Sequence, residues 1–293
     1  MPFNPHELTL TPAAWPDKNS HFGIMDLMGF DKDRTWWYRS WFPTINEPVT
    51  TDTVLHTFVS VSQTPASCAL TPLPTTTCIP LPPLLQPHWN WQSGQNVDIW
   101  SYSNAASVEL FVNGASLGRK NMTRFAHVEW DKVPFVAGSF TSVAYDASGA
   151  AVASKSVNTT GAPVALRATI RDGYGAQLLT TCFDFGLVMV EVVDANGLVV
   201  PYANNSVTIS TSGLATAWVE GTGNGDPAGG ENNKSPTHAA FHGLLLGVIG
   251  SGDVPGTITV TASSPGLTPS SVEMPVVDGT GTSNKWCSGL PQW

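Results

Sequence analysis

The sequence predicts a mainly β protein built around two immunoglobulin-like sandwiches, and three observations point there. Charged residues make up only 12% of the 293-residue chain, about half the share of an ordinary globular protein. Gly (27) and Pro (23) are plentiful, which suits a chain that turns often. Between those turns, short runs of alternating apolar and polar residues recur, as half-buried strands require. The 11 Trp and 12 Phe supply ample apolar surface to bury, so the chain does not read as disordered.

The strands follow in order from Pro87. Val97–Tyr102 alternates, and Val108–Val112 runs into Asn113-Gly114, the strongest two-residue hairpin signal, with Ser116–Gly118 returning. Val128–Val133 and Ser139–Tyr145 continue the pattern, Asp146–Gly149 turns, and Val152–Val157 closes a first sandwich over residues 87–162. After the joint at Gly161-Ala162-Pro163 a second series begins, with strands at Ala165–Arg171, Phe185–Val193, Leu198–Pro201, Val207–Thr211, Ala215–Val219 and Gly256–Ser263. Gly221–Lys234 reads as a polar loop within it. The second sandwich ends near Val277, leaving a Gly/Ser-rich tail over 278–293.

A net charge of −9 with 13 Lys+Arg spread thinly leaves no basic stripe, which excludes nucleic acid and anionic membrane as partners. No run approaches the roughly 20 apolar residues of a membrane span, and the N-terminus has no signal-peptide pattern. Sequons at Asn121, Asn158, Asn204 and Asn233 lean towards a secretory or extracellular setting. Cys68, Cys78, Cys182 and Cys287 form no C-x-x-C pair, so no metal site or cofactor is expected. A Cys68–Cys78 disulfide and four isolated thiols both stay open.

The first 48 residues are different. Asp31–Phe42 places acids at its start and aromatics at helical spacings, predicting a short helix that Pro43 stops. Residues 49–86 form a linker, and its stretch 59–86 holds no charge and six prolines, with no periodicity.

Ser20-His21-Phe22-Gly23-Ile24-Met25-Asp26-Leu27-Met28-Gly29-Phe30-Asp31-Lys32-Asp33 resembles the end of the catalytic barrel in family 2 glycoside hydrolases of the β-galactosidase kind. That pattern runs S-x-F-G-I-x-D-x-x-G-F-P-K-D; Asp31 stands where it has Pro. Further matches follow in the family's order: Pro87-His88-Trp89-Asn90-Trp91, Tyr102-Ser103-Asn104, Val108–Asn113, Val190–Asn196 and Gly223-Asn224-Gly225-Asp226-Pro227. The resemblance covers nearly all of residues 20–265. It implies that residues 1–48 are the last piece of a (β/α)8 barrel, preceding the two sandwiches. It also implies a retaining glycosidase, which needs two carboxylates about 5–5.5 Å apart, and those carboxylates lie upstream of this segment. The chain is therefore expected to be an accessory part, inactive alone, meeting a β-galactoside or related glycan only within the complete enzyme, with oligomerisation left open. The competing reading is a stand-alone, non-catalytic β-sandwich protein that binds carbohydrate or protein.

Several residues invite sharper readings. Thr44-Ile45-Asn46-Glu47-Pro48 spells an acid/base motif around Glu47, yet it follows the expected helix rather than a strand, so a linker is favoured. Trp15, Phe22 and Asp26 are candidates for the sugar-facing rim of the complete barrel, since aromatic rings stack on sugar faces. Trp89, Trp91 and Trp100 suit a sandwich core better than a binding platform, and Asn224, Asp226 and Glu231 suit a solvated turn better than a calcium site. Deleting 59–86 joins Leu55-His56-Thr57-Phe58 to Pro87-His88-Trp89, close to the family's L-H-x-x-P-H-W-N-W. A segment that begins Val-Ser and ends Leu-Leu-Gln reads as a translated intron, against a genuine loop.

Overall fold

The computed structural model describes residues 23–42, 53–61, 85–171, 177–180, 184–226 and 229–279. The chain divides into two compact units, residues 1–159 and 160–293. Both are β-rich, as the alternating patterns require.

In the first unit, one helix and seven strands are described: α1 (Asp33–Trp41), β1 (Leu55–Val61), β2 (Asn96–Ser103), β3 (Ser107–Val112), β4 (Ala115–Asn121), β5 (Val128–Pro134), β6 (Ser139–Tyr145) and β7 (Ala151–Asn158). They form a three-stranded sheet, β1-β2-β5, and a four-stranded sheet, β4-β3-β6-β7. All pairings are antiparallel. The core draws from both sheets: Val59, Val97, Ile99 and Trp130 from the first, and Val108, Leu110, Phe140 and Ala144 from the second. Three buried hydroxyls cross it. Thr57 Oγ1 lies 2.6 Å from Ser101 Oγ and 2.6 Å from Ser142 Oγ, so these three buried hydroxyls satisfy one another.

Strand β1 was not foreseen. It pairs with β2 from Leu55↔Ser103 to Val61↔Val97, so the first sandwich takes a strand from upstream of Pro87. Val59, Ser60 and Val61, the opening of the expected insert, belong to this strand. Val59 also exchanges both backbone hydrogen bonds with Gln86, at 2.8 and 2.7 Å. Residues 62–84 lie outside the described residues. Ser60 is fully buried, and its hydroxyl finds no partner among the described residues.

The β3–β4 hairpin turns at Asn113 (φ 49) and Gly114 (φ 82), as a two-residue loop of this type demands. Asn113 does more than turn. Its Oδ1 accepts the Ser139 N–H (2.8 Å) and its Nδ2 donates to the Ala137 carbonyl (3.2 Å), tying the hairpin to the entry of β6. Strand β4 is exposed along its whole length and carries Arg119 and Lys120, charges that discourage pairing at a sheet edge.

The second unit holds β8 (Ala165–Ile170), β9 (Leu178–Leu179), β10 (Phe185–Val193), β11 (Ser206–Ser212), β12 (Trp218–Gly223), β13 (Thr237–Ala239), β14 (Leu244–Gly250), β15 (Gly256–Ser263) and β16 (Ser270–Val277). Its sheets run β12-β14-β10-β8 and β13-β11-β15-β16-β9. Val188, Val190, Leu245 and Ile249 from one sheet meet Val207, Ile209, Ile258, Val260 and Met274 from the other.

Three expectations need correction here. The strand expected at Ala215–Val219 starts at Trp218, because Leu214–Ala217 closes a turn through Ala217 N–H to the Leu214 carbonyl (3.2 Å). Accordingly the expected loop from Gly221 gives its first three residues to β12. No strand forms over Leu198–Pro201, where Val199 makes one isolated bridge to Val193.

Candidate functional site

The segment expected to end a barrel folds as a tight turn followed by α1. Asp26 makes the turn: its Oδ1 accepts the N–H of Met28 and of Phe30, both at 2.9 Å. A bridge between Met25 and Asp31 closes it, and the Thr35 hydroxyl donates to the Ile24 carbonyl. Asp31 then pairs with Arg39 at 3.2 Å. These carboxylates are committed to shaping the segment.

Helix α1 contacts β1 and β2. Trp36 and Trp37 pack against the buried trio Phe58, Leu85 and Tyr102. The Trp36 ring lies 4.2 Å from His56, 4.8 Å from the Arg39 guanidinium and 5.3 Å from the Lys155 ammonium. His56 in turn stacks on Phe58 at 4.5 Å. Burial, with Lys155 and then Arg39 adding positive charge nearby, pushes the His56 imidazole down to about 3. Burial also brings Lys155 down to about 8 and raises the Asp33 carboxyl. Desolvation penalises the charged form in each case.

The other end of α1 is latched to the β4–β5 connection. Trp37 Nε1 donates to the Phe125 carbonyl at 3.1 Å, and the Phe125 ring stacks on Phe42 at 5.7 Å. Phe125 has φ 65, costly for a bulky residue, so these contacts hold a strained backbone in place. The assembly is a clamp that fixes a short helix to a sandwich. It offers rings and cations, with its acids already engaged.

Of the expected rim residues, only Asp26 is described; Trp15 and Phe22, like Glu47 and the four cysteines, lie outside the described residues. Trp89 is fully buried core and Trp91 packs on that core, while Trp100 stacks on His127 at 3.8 Å. Asn224, Asp226 and Glu231 build a turn. Asn224 Nδ2 donates to the Ala239 carbonyl (2.8 Å) and its Oδ1 accepts from Asp226 N–H (3.0 Å). Glu231 accepts the Ala239 N–H and lies 2.6 Å from His238 Nδ1. Among the described residues, no cluster of three or more His, Cys, Asp or Glu could hold a metal.

The sequence does not single out Trp218. Trp218 opens β12 with 36% of its surface exposed, and its only signal was a lone Trp at a misplaced strand end.

Residues 176–273 match the model of the glycoside hydrolase family 2 C-terminal domain 5, and residues 94–153 match a domain of unknown function, DUF4982. A β-galactosidase of Bacteroides ovatus, BoGH2A, is 36% identical over 261 residues, covering 88% of this chain and 26% of that protein. A β-glucuronidase of Formosa agariphila is 31% identical over 189 residues, covering 64% and 19%. Among solved structures, a glycosyl hydrolase family 2 member from Bacteroides cellulosilyticus has a TM-score of 0.70 at 24% identity, covering 87% of this chain and 31% of that one. A β-glycosidase from Bacteroides vulgatus has a TM-score of 0.70 at 22% identity, covering 89% and 29%. These two show a shared fold. The chain spans only 26% of the length of the β-galactosidase that it matches.

Proposed function

We propose that this chain, which belongs to the C-terminal region of family 2 glycoside hydrolases, supports the catalytic part of a retaining glycosidase that acts on β-galactosides or related glycans. The observation that carries the reading is the 36% identity to a β-galactosidase over 88% of the chain. In this reading the α1 clamp buttresses the barrel. The Asp26 turn, with Trp15 and Phe22 upstream, contributes to the rim of its sugar site, and the acid/base and nucleophile lie on other barrel strands.

The purified chain is expected to show no turnover of 4-nitrophenyl β-D-galactopyranoside. Robust turnover that disappears in Glu47→Gln would overturn this and make Glu47 the acid/base. Genomic sequence upstream of Met1 offers a second check. It should encode, in frame, barrel strands with two further glutamates at strand ends.

The segment 59–86 is read as a translated intron. The Ser60 hydroxyl, buried with no partner among the described residues, supports this, since such a group costs about 1–3 kcal/mol. Transcript sequencing across Phe58–Pro87 should return a spliced message that lacks these codons. Uniform retention of them rejects the intron.

A further inference from the structure

A separate feature of the second unit lies on edge strand β12 and stands independently of the reading above. Trp218, Gly250 and Phe185 sit side by side in register across β12, β14 and β10. Gly250 is what lets the indole lie flat. A Cβ there would meet three atoms of the Trp218 six-membered ring at 2.4–2.7 Å. Phe185 abuts the same indole edge-on, with ring centroids 6.1 Å apart and planes at 86°. One indole face is thus covered by backbone, the ring is held from its flank, and 36% of the residue remains open.

The polar edge of that ring is organised too. The ladder slips between Val219 and Gly221, leaving Glu220 as an extra residue on β12. Bulges of this kind re-aim side chains and gather near binding sites. Here Glu220 Oε2 accepts the Trp218 Nε1–H at 2.9 Å, and Oε1 accepts from the Lys234 ammonium. Each carboxylate oxygen keeps a second lone pair, and Lys234 is 73% exposed. An open, immobilised aromatic face beside a carboxylate and an ammonium matches what a sugar ring presents. Axial C–H groups suit the ring face, and hydroxyls that both donate and accept suit the edge. Docking of a protein fits less well. Such sites need a contiguous exposed apolar patch, whereas Phe185, Leu187 and Val248 on this face are all partly covered.

We propose that Trp218, with Glu220 and Lys234, is a glycan-binding platform on which a hexopyranose ring of a glycan chain stacks. The test uses the 293-residue chain with soluble β-1,4-galactan and, separately, cellohexaose. The readouts are the Trp218 indole N–H resonance, assigned by its loss in Trp218→Phe, and retardation in galactan-containing gels. One or both glycans should shift that resonance. Trp218→Ala should weaken binding about tenfold or more, as loss of a stacking ring does. Glu220→Gln, which keeps a hydrogen-bonding group and guards against a folding defect, should weaken it several-fold while amide exchange in β14 stays unchanged. The proposal falls if neither glycan moves the resonance. It also falls if binding survives Trp218→Ala, or if Trp218 governs only self-association of the chain.

Discussion

Replacing Trp89 with alanine should strongly destabilise the first unit and leave the second unchanged. Trp89 is fully buried, with Phe135 at 5.0 Å and Phe140 at 5.3 Å set edge-on around it. Its Nε1 donates to the Val136 carbonyl at 3.0 Å. Truncation removes the largest fully buried side chain among the described residues, which costs about 3–5 kcal/mol through lost contacts and the cavity left behind. The Val136 carbonyl loses its donor as well, adding about 1 kcal/mol. That sum, about 4–6 kcal/mol, reaches the lower end of a domain's total stability, about 5–15 kcal/mol. Hydrogen exchange by mass spectrometry reads the two units separately. Protection should fall steeply in β2, β5 and β6 and persist in β10 and β14, each unit having its own core. A loss below about 1 kcal/mol would show that the site collapses around the gap.

Acid should weaken the same unit through His56. Its imidazole sits between Trp36 and Phe58, and Nδ1 has no partner among the described residues. The folded value, about 3 against 6.5 for the free side chain, means that the unfolded chain binds the proton more readily. Stability from the neutral ring is therefore complete above pH 6.5 and drains away as the pH falls towards 3. At 1.36 kcal/mol per unit, about 2 kcal/mol should be gone by pH 5. Asp33 works in the opposite sense, because burial raises its carboxyl and its cost fades as it protonates. His56→Phe keeps a ring in the stack and removes the proton site. Amide exchange in β1 and β2, compared at pH 7.5 and 5 after correction for intrinsic rates, should lose its pH dependence in this variant. An unchanged dependence would place the titrating group elsewhere.

Much of the fold was legible because alternation and turn chemistry agree. Phe185–Val193 and Gly256–Ser263 are strands with the expected bounds, and Asn113-Gly114 is a hairpin turn. What stayed hidden has physical causes. Leu244–Gly250 reads as Leu-Leu-Leu-Gly-Val-Ile-Gly; Leu245 and Ile249 face the core, but Leu246, Val248 and Gly250 on the other face are apolar too, so no alternation marks the strand. Strand β1 was obscured because its second half lies in a stretch that looked like an insert. Glu220 gave no sign of being a bulge, since the extra residue shows only against its partner strand. The clamp around Trp36 draws on residues from α1, β1 and β7, and no local pattern announces such a meeting. Resemblance located the Asp26 segment, whereas only the fold shows that its carboxylate serves the turn.

The β1–β2 pairing carries a last implication, in the currency of loop closure. Residues 62–95 separate the two strands, and the entropy of closing a connection grows only with the logarithm of its length. Each doubling costs about 0.6 kcal/mol. Enlarging a connection of a few residues to this size therefore costs on the order of 1.5 kcal/mol, less than the burial of one large core side chain contributes. The stability of the first sandwich therefore depends little on how long the connection between Val61 and Leu85 is, whereas Val59 and Leu85 themselves are buried in it. Folding thus sets only a weak limit on the length of that connection.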